Sequence, residues 1–181
     1  MNEKFSVISE NNLKYIDFHD CECSRLYYEN YTLVFEMDWM EVLSEHPMNP
    51  RNKAHQSGEE MVMLQLPTIE QLVLYKNNSE IISVNDLNNV DFRDTILLQY
   101  DESKTNDGYK AKIYLLFNNN KEFDSALIEI SYNKSVAMWD DELTVYKDKE
   151  HPLPADAWSF VDNVKIMTKD AHIFAPLLVL R

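Results

Sequence analysis

The sequence predicts a mainly β protein, in which antiparallel sheets form a sandwich or a partly closed barrel with one or two short helices. One observation behind this prediction is the alternation of apolar and polar residues, which is clearest from Thr32 to Trp39. There we assign Leu33, Phe35 and Met37 to the core. The other observation is that short Asn, Asp and Ser turns separate the apolar segments, without regularly alternating helices.

The size and composition predict one domain that spans residues 1–181. A chain of 181 residues is long enough to bury a sizeable core. Its hydrophobic fraction of 45% excludes wholesale disorder, which requires low hydrophobicity together with high charge. Residues 46–60 contain two prolines and no periodicity, so we expect a long surface loop that is either functional or mobile.

The first segments predict a short strand, a corner and a hairpin. Phe5 and Val7 alternate weakly and indicate an edge strand or a loose arm. The alternation that follows changes phase at His19-Asp20, which predicts a bulge or corner. Beyond it, the segment that begins at Cys21 and the segment from Tyr31 form a hairpin around a Glu29-Asn30 turn, because Asn tolerates positive φ.

The middle of the chain predicts further strands. Residues 61–66 form a strand that Pro67 ends. Residues 68–75 fit a short helix with a capping box, or a strand, and their β-rich composition favours the strand. A turn at Asn77-Asn78 then leads into a strand over residues 80–84.

The following region predicts a meander. Strands 95–100 and 109–117 flank an Asp107-Gly108 turn, and a strand over 123–132 follows. Residues 136–146 predict one bent strand or two short ones. After these, Pro154 begins the best helix candidate, and residues 173–180 predict a last strand.

The charge balance limits the function classes. The 17 basic and 31 acidic residues give a net charge of −14, which argues against nucleic-acid binding and against anionic membrane surfaces. The charge serves solubility, or it steers a basic protein partner. The N-terminal residues lack a secretory signal, and the longest apolar run, within residues 173–180, is shorter than the roughly 18 residues that span a bilayer. We therefore expect a cytoplasmic protein.

The two cysteines, Cys21 and Cys23, predict reduced and buried thiols. Together with His19 they share strand parity and form a weak candidate metal site, but ligands about 6.6 Å apart along a strand do not converge on one zinc ion. Our prediction is that no metal and no cofactor is bound. With only Gly58 and Gly108 in the chain, Walker and Rossmann fingerprints are excluded.

Acidic and aromatic residues supply the candidates for binding. The adjacent His19-Asp20 pair occurs in metal-dependent phosphohydrolases, but a structural pair at a corner, whose Asp bonds backbone amides, is the favoured interpretation. We assign no catalytic residue. Large aromatic side chains fit an interface as well as a core. The candidate binding residues are His19, Asp20, Trp39, Trp139, Asp140 and Asp141.

A short motif adds a resemblance. Phe18-His19-Asp20-Cys21, followed by the segment from Leu26 to Phe35, resembles the opening of small β-rich cytosolic bacterial proteins, some of which are grouped with immunity proteins of polymorphic toxin systems. The resemblance implies a non-enzymatic interaction domain, and the acidic charge predicts a basic partner. The alternative is a small-molecule or carbohydrate-binding β domain, or an enzyme with an unrecognised pocket.

Overall fold

The computed structural model describes residues 5–77, 79–83 and 87–140. The helix that we predict near Pro154, the strand near residues 173–180 and the candidate binding residue Asp141 lie outside these ranges.

The described residues form a mainly β structure with antiparallel pairing throughout. The only helices among them are two single turns of 3₁₀ helix, at Leu13–Tyr15 and Leu87–Asn89. The strands are β1 (Val7–Glu10), β2 (Ile16–Asp17), β3 (Cys21–Glu29), β4 (Thr32–Asp38), β5 (Glu41–Val42), β6 (His55–Gln56), β7 (Glu60–Gln65), β8 (Thr68–Lys76), β9 (Ser79–Ser83), β10 (Thr95–Thr105), β11 (Gly108–Phe117), β12 (Ser125–Tyr132) and β13 (Lys134–Trp139).

Ten strands form one large sheet in the order β1-β13-β7-β4-β3-β10-β11-β12-β8-β9, and a small sheet has the order β2-β5-β6. The large sheet folds over on itself, because β7 and β8 lie six places apart in its order but only Leu66 and Pro67 separate them along the chain. Six strand spacings would be about 29 Å in a flat sheet, whereas this link reaches at most about 11 Å. The same holds for β12 and β13, which Asn133 alone connects.

The two layers of this sandwich meet at a corner where the chain crosses between them. There the Asn133 amide donates to Gln65 O at 3.1 Å, and the Leu66 amide donates to Tyr31 O at 2.8 Å. The sheet is not closed into a barrel, since β1 and β9 remain at its two ends. The inward faces of both layers and of the small sheet contribute to one apolar cluster.

The core confirms the prediction for β4. Leu33, Phe35 and Met37 are at most 2% exposed. The structure also confirms that residues 68–75 are strand rather than helix, as part of β8. Around the first turn, the hairpin pairs Glu29 with Thr32, so its turn is Asn30-Tyr31, one residue later than we predicted.

The meander prediction is confirmed for β10, β11 and β12, which pair in sequence order. It is wrong for β13, which pairs with β7 and β1 in the other layer instead of with β12. A one-residue link can carry the chain into the second layer because the sheet folds at Asn133.

Residues 46–60 are not simply the surface loop that we expected. They contain β6, and His46, Asn49 and His55 are buried. The Asn49 side-chain amide donates to Leu43 O at 2.9 Å and to Lys53 O at 3.0 Å, which fixes this segment against the small sheet.

No helix within the described residues has the length and apolar character needed to cross a bilayer.

Candidate functional site

His19 and Asp20 lie in a tight turn that joins β2 to β3, as the corner prediction required. Asp20 adopts a left-handed φ of 62°, and its amide donates to Leu97 O at 3.0 Å. The carboxylate that bonds a backbone amide here is that of Asp17, whose Oδ1 accepts from the His19 amide at 2.9 Å. The predicted corner is present, but the aspartate that bonds its backbone is Asp17 and not, as we had expected, Asp20.

The His19 ring is held by one hydrogen bond to β10. Nδ1 lies 2.7 Å from Leu98 O, and because a carbonyl oxygen only accepts, Nδ1 carries the hydrogen. Nε2 is buried 3.5 Å from Asp20 Oδ2 and has no hydrogen-bond partner among the described residues. The ring lines a surface cleft of about 290 Å³, together with Asp17 and Asp101.

The two thiols are buried in the core. Cys21 Sγ lies 3.5 Å from Trp39 O, and Cys23 Sγ lies 3.3 Å from Arg25 O. Burial raises the pKa of both, that of Cys23 to about 12, so the thiols are protonated at neutral pH. The His19–Cys21–Cys23 set does not converge, and the described residues contain no group of three or more His, Cys, Asp or Glu side chains placed to hold a metal ion.

Trp39 is an exposed indole on a left-handed turn. Its φ is 71° and its side chain is 45% exposed. A β-carbon makes this conformation unfavourable, so it persists only where the surroundings hold it.

Three buried polar residues hold this turn, and we call them the cradle: Cys21, Ser57 and Glu60. The Cys21 thiol donates to Trp39 O, and the Ser57 amide donates to Met40 O at 3.0 Å. The Ser57 hydroxyl donates to Glu60 Oε1 at 2.8 Å. The Glu60 carboxyl also faces the amides of Trp39 and Met40. These buried groups thus hold the backbone of Trp39 and Met40 in place.

Glu60 is a neutral acid inside the protein. It is 3% exposed, and desolvation by burial raises its pKa to about 9, with a smaller contribution from the nearby charge of Asp38. Its Oε2 has no hydrogen-bond partner among the described residues. Protonation therefore removes the charge that would otherwise be buried.

Carboxylates surround the Trp39 turn. Glu22 lies directly opposite Asp38 across β3 and β4, and Asp17 lies opposite Glu41 across β2 and β5. Like charges in directly opposed positions are destabilising. We call the following residues the acidic patch: Asp17, Asp20, Glu22, Asp38 and Glu41.

The patch groups several carboxylates that lack a Lys or Arg partner among the described residues. No described Lys or Arg forms an ion pair with a patch carboxylate, and the one contact of this kind is His19 with Asp20. Six other described carboxylates are paired with Lys or Arg at 2.6–3.6 Å, whereas Glu29, Asp107 and Glu122 have no such pair among the described residues. These pairs are Arg25–Glu36, Lys76–Asp124, Arg93–Asp91, Lys110–Glu70, Lys112–Glu129 and Lys134–Glu10.

The other predicted binding residues do not join this surface. Trp139 is fully buried, with its ring 5.2 Å from that of His46, so the binding role that we assigned to it is wrong. Asp140 is half-buried and accepts a hydrogen bond from Ser6 Oγ at 3.0 Å. Of the predicted set, the structure places His19, Asp20 and Trp39 around Cys21.

Ser9 and His46 form a buried pair that has the wrong polarity for nucleophilic catalysis. The Met48 amide donates to His46 Nδ1 at 3.0 Å, and burial lowers the pKa of the ring, so the neutral imidazole carries its hydrogen on Nε2. Nε2 then donates to Ser9 Oγ at 3.1 Å, whereas a nucleophilic serine must donate to the histidine. The pair connects the 46–60 segment to β1.

The sequence indicated the hairpin of β3 and β4 but not the register that brings the patch residues together. Only a one-residue shift between Cys23 and Arg25 places Glu22 opposite Asp38. No comparable signal indicated Ser57 and Glu60, which reach the Trp39 turn through non-local pairing. Comparisons with protein-family models, curated proteins and solved structures found no match.

Proposed function

We propose that this protein is a non-enzymatic interaction domain whose acidic patch, with Trp39 at its centre, binds a basic protein partner. The observation that carries the proposal is the concentration of carboxylates without Lys or Arg partners around one exposed indole. Such a surface is costly in the free protein, because Glu22 and Asp38 repel each other. A cationic partner relieves that repulsion on binding.

The net charge of −14 also supports the proposal, because it would increase the rate of association with a basic partner. An acidic protein attracts a basic partner over distances of about a Debye length and so accelerates encounter. The patch then supplies the specific surface, with an aromatic residue of the type that is enriched at interface hot spots. The resemblance to immunity proteins of toxin systems makes a basic toxin domain the first partner class to test.

A pull-down from the source cell with matched variants tests this function. The patch variant is Glu22→Gln/Asp38→Asn, and the control is Glu70→Gln/Glu129→Gln, which removes the same charge from paired positions. We expect the wild type and the control to retain a basic protein that salt elutes, and the patch variant to lose it. Capture that is insensitive to salt, or that the patch variant retains fully, would contradict the proposal.

A further inference from the structure

The conformation of Trp39 is set by buried groups rather than by local sequence. A left-handed φ is unfavourable for a residue that carries a β-carbon, and Trp39 adopts it with a φ of 71° while the residue is 45% exposed. Nearly half of the residue therefore remains available for contact with a partner.

The cradle accounts for how the strain is maintained. Ser57 contacts the turn through its backbone amide and contacts Glu60 through its hydroxyl. Glu60 lies on β7, opposite Met37 of β4, so its carboxyl is anchored in the sheet directly below the turn. Cys21 holds the carbonyl of Trp39 from β3. Three separate strands or loops thus fix one peptide segment before any partner is present.

The surroundings of the indole define the group that it can receive. Asp38 is adjacent in sequence, Glu22 lies opposite Asp38, and the backbone oxygens of Asp17 and Trp39 both lie within 3.8 Å of Cys21 Sγ, which brings the Asp17 backbone close to the Trp39 turn. An aromatic face near carboxylates favours a cation that is planar and weakly hydrated, which describes guanidinium better than ammonium.

We infer that Trp39 is the anchor residue of the interface, that the cradle presents it in advance, and that it receives an arginine side chain of the basic partner. This inference rests on the proposed function. Preorganisation of this kind reduces the entropy lost on binding, since the indole and its backbone are already positioned. Glu60 acts through Trp39 and is a positioning residue.

The first test compares oligoarginine and oligolysine peptides of equal length as probes. We expect the wild type to bind oligoarginine about three- to fivefold more tightly, in line with an exposed cation–π contact. Trp39→Leu should remove this preference, leaving equal and weaker binding of both peptides. If the preference is absent in the wild type, or persists in Trp39→Leu, the anchor assignment is wrong.

The second test separates presentation of the indole from stability. Trp39→Gly, which adopts positive φ freely, should lose the arginine preference as Trp39→Leu does. Glu60→Leu should increase acrylamide quenching of Trp39 and reduce oligoarginine affinity, and Glu60→Gln should restore both, since its amide keeps the hydrogen-bonding groups. The chain has three tryptophans, so the signal of Trp39 is obtained by subtracting the fluorescence of the matching variant that also carries Trp39→Phe. Unchanged quenching and affinity in a folded Glu60→Leu protein would overturn the positioning role.

These outcomes are distinguishable from failure of the proposed function. If Glu22→Gln/Asp38→Asn abolishes partner capture while the Trp39 variants bind both peptides like the wild type, the acidic patch is the interface and the anchor inference alone fails. If the patch variant leaves partner capture intact, the proposed function fails first.

Discussion

Glu22 on β3 and Asp38 on β4 occupy directly opposed positions, and no described Lys or Arg is paired with either carboxylate. Asp38→Asn should therefore stabilise the free protein by about 0.2–1 kcal/mol, because it removes a cross-strand repulsion. Chemical denaturation measures the change. Glu129→Gln is the control, since Glu129 is paired with Lys112 at 2.6 Å, and it should give no gain. A loss of stability in Asp38→Asn would mean that the two carboxylates do not repel each other in the folded protein.

Glu60 should make the stability depend on pH. Its pKa rises from an ordinary value of 4.5 to about 9 on folding, so the folded protein holds the proton more tightly than the unfolded chain. Its stabilising contribution is complete below pH 4.5 and is lost as the pH rises towards 9, with a slope of up to about 1.4 kcal/mol per pH unit.

The comparison of Glu60→Gln with the wild type checks this slope. The amide does not titrate, so the free energy of unfolding of the variant should lack the Glu60 contribution to the pH dependence, and its advantage should grow between pH 5 and 9. Glu122→Gln, at an exposed position, is the control and should follow the wild type. Parallel pH profiles for wild type and Glu60→Gln would show that Glu60 is not a buried neutral acid.

Much of the sandwich could be predicted because its local patterns are strong. The alternation around Phe35 and the Asp107-Gly108 turn specify strands and a hairpin from neighbouring residues alone. The pairing of β7 with β13 joins segments about 70 residues apart, and the sequence of neither strand indicates which strand it pairs with. The cradle depends on such pairing, so Glu60 was not foreseen, whereas His19, Asp20 and Trp39 could be singled out as candidates from their residue types and local pattern.

Tyr31 occupies a position that favours glycine. The two-residue hairpin turn has φ of 50° at Asn30 and 60° at Tyr31, and positive φ at both central residues is what a type I′ turn requires. Tyr31→Gly should stabilise the protein by about 1 kcal/mol, because its phenol is 72% exposed and little packing is lost. The measurement is the urea midpoint at unchanged m value. Destabilisation by this substitution would show that the Tyr31 side chain packs favourably in solution.

Gly108 is required at the start of β11. Its φ is +146°, and an added Cβ would lie 2.3 Å from Tyr132 O, a backbone atom that cannot move aside alone. Gly108→Ala should destabilise the protein by about 1–3 kcal/mol, while Asp107→Ala, at an exposed neighbouring position, should change stability by less than about 0.5 kcal/mol. Equal effects of the two substitutions in thermal denaturation would contradict the predicted clash.

Photo-crosslinking at Trp39 tests the central claim most directly. A benzophenone side chain in place of the indole, Trp39→benzoylphenylalanine, keeps an aromatic group at the centre of the acidic patch, and Gln71→benzoylphenylalanine places the same group at an exposed position in the other layer. Irradiation of source cells should give an adduct with a basic protein from position 39 and none from position 71. No adduct at position 39, or the same adduct from both positions, would contradict a protein-binding surface centred on Trp39.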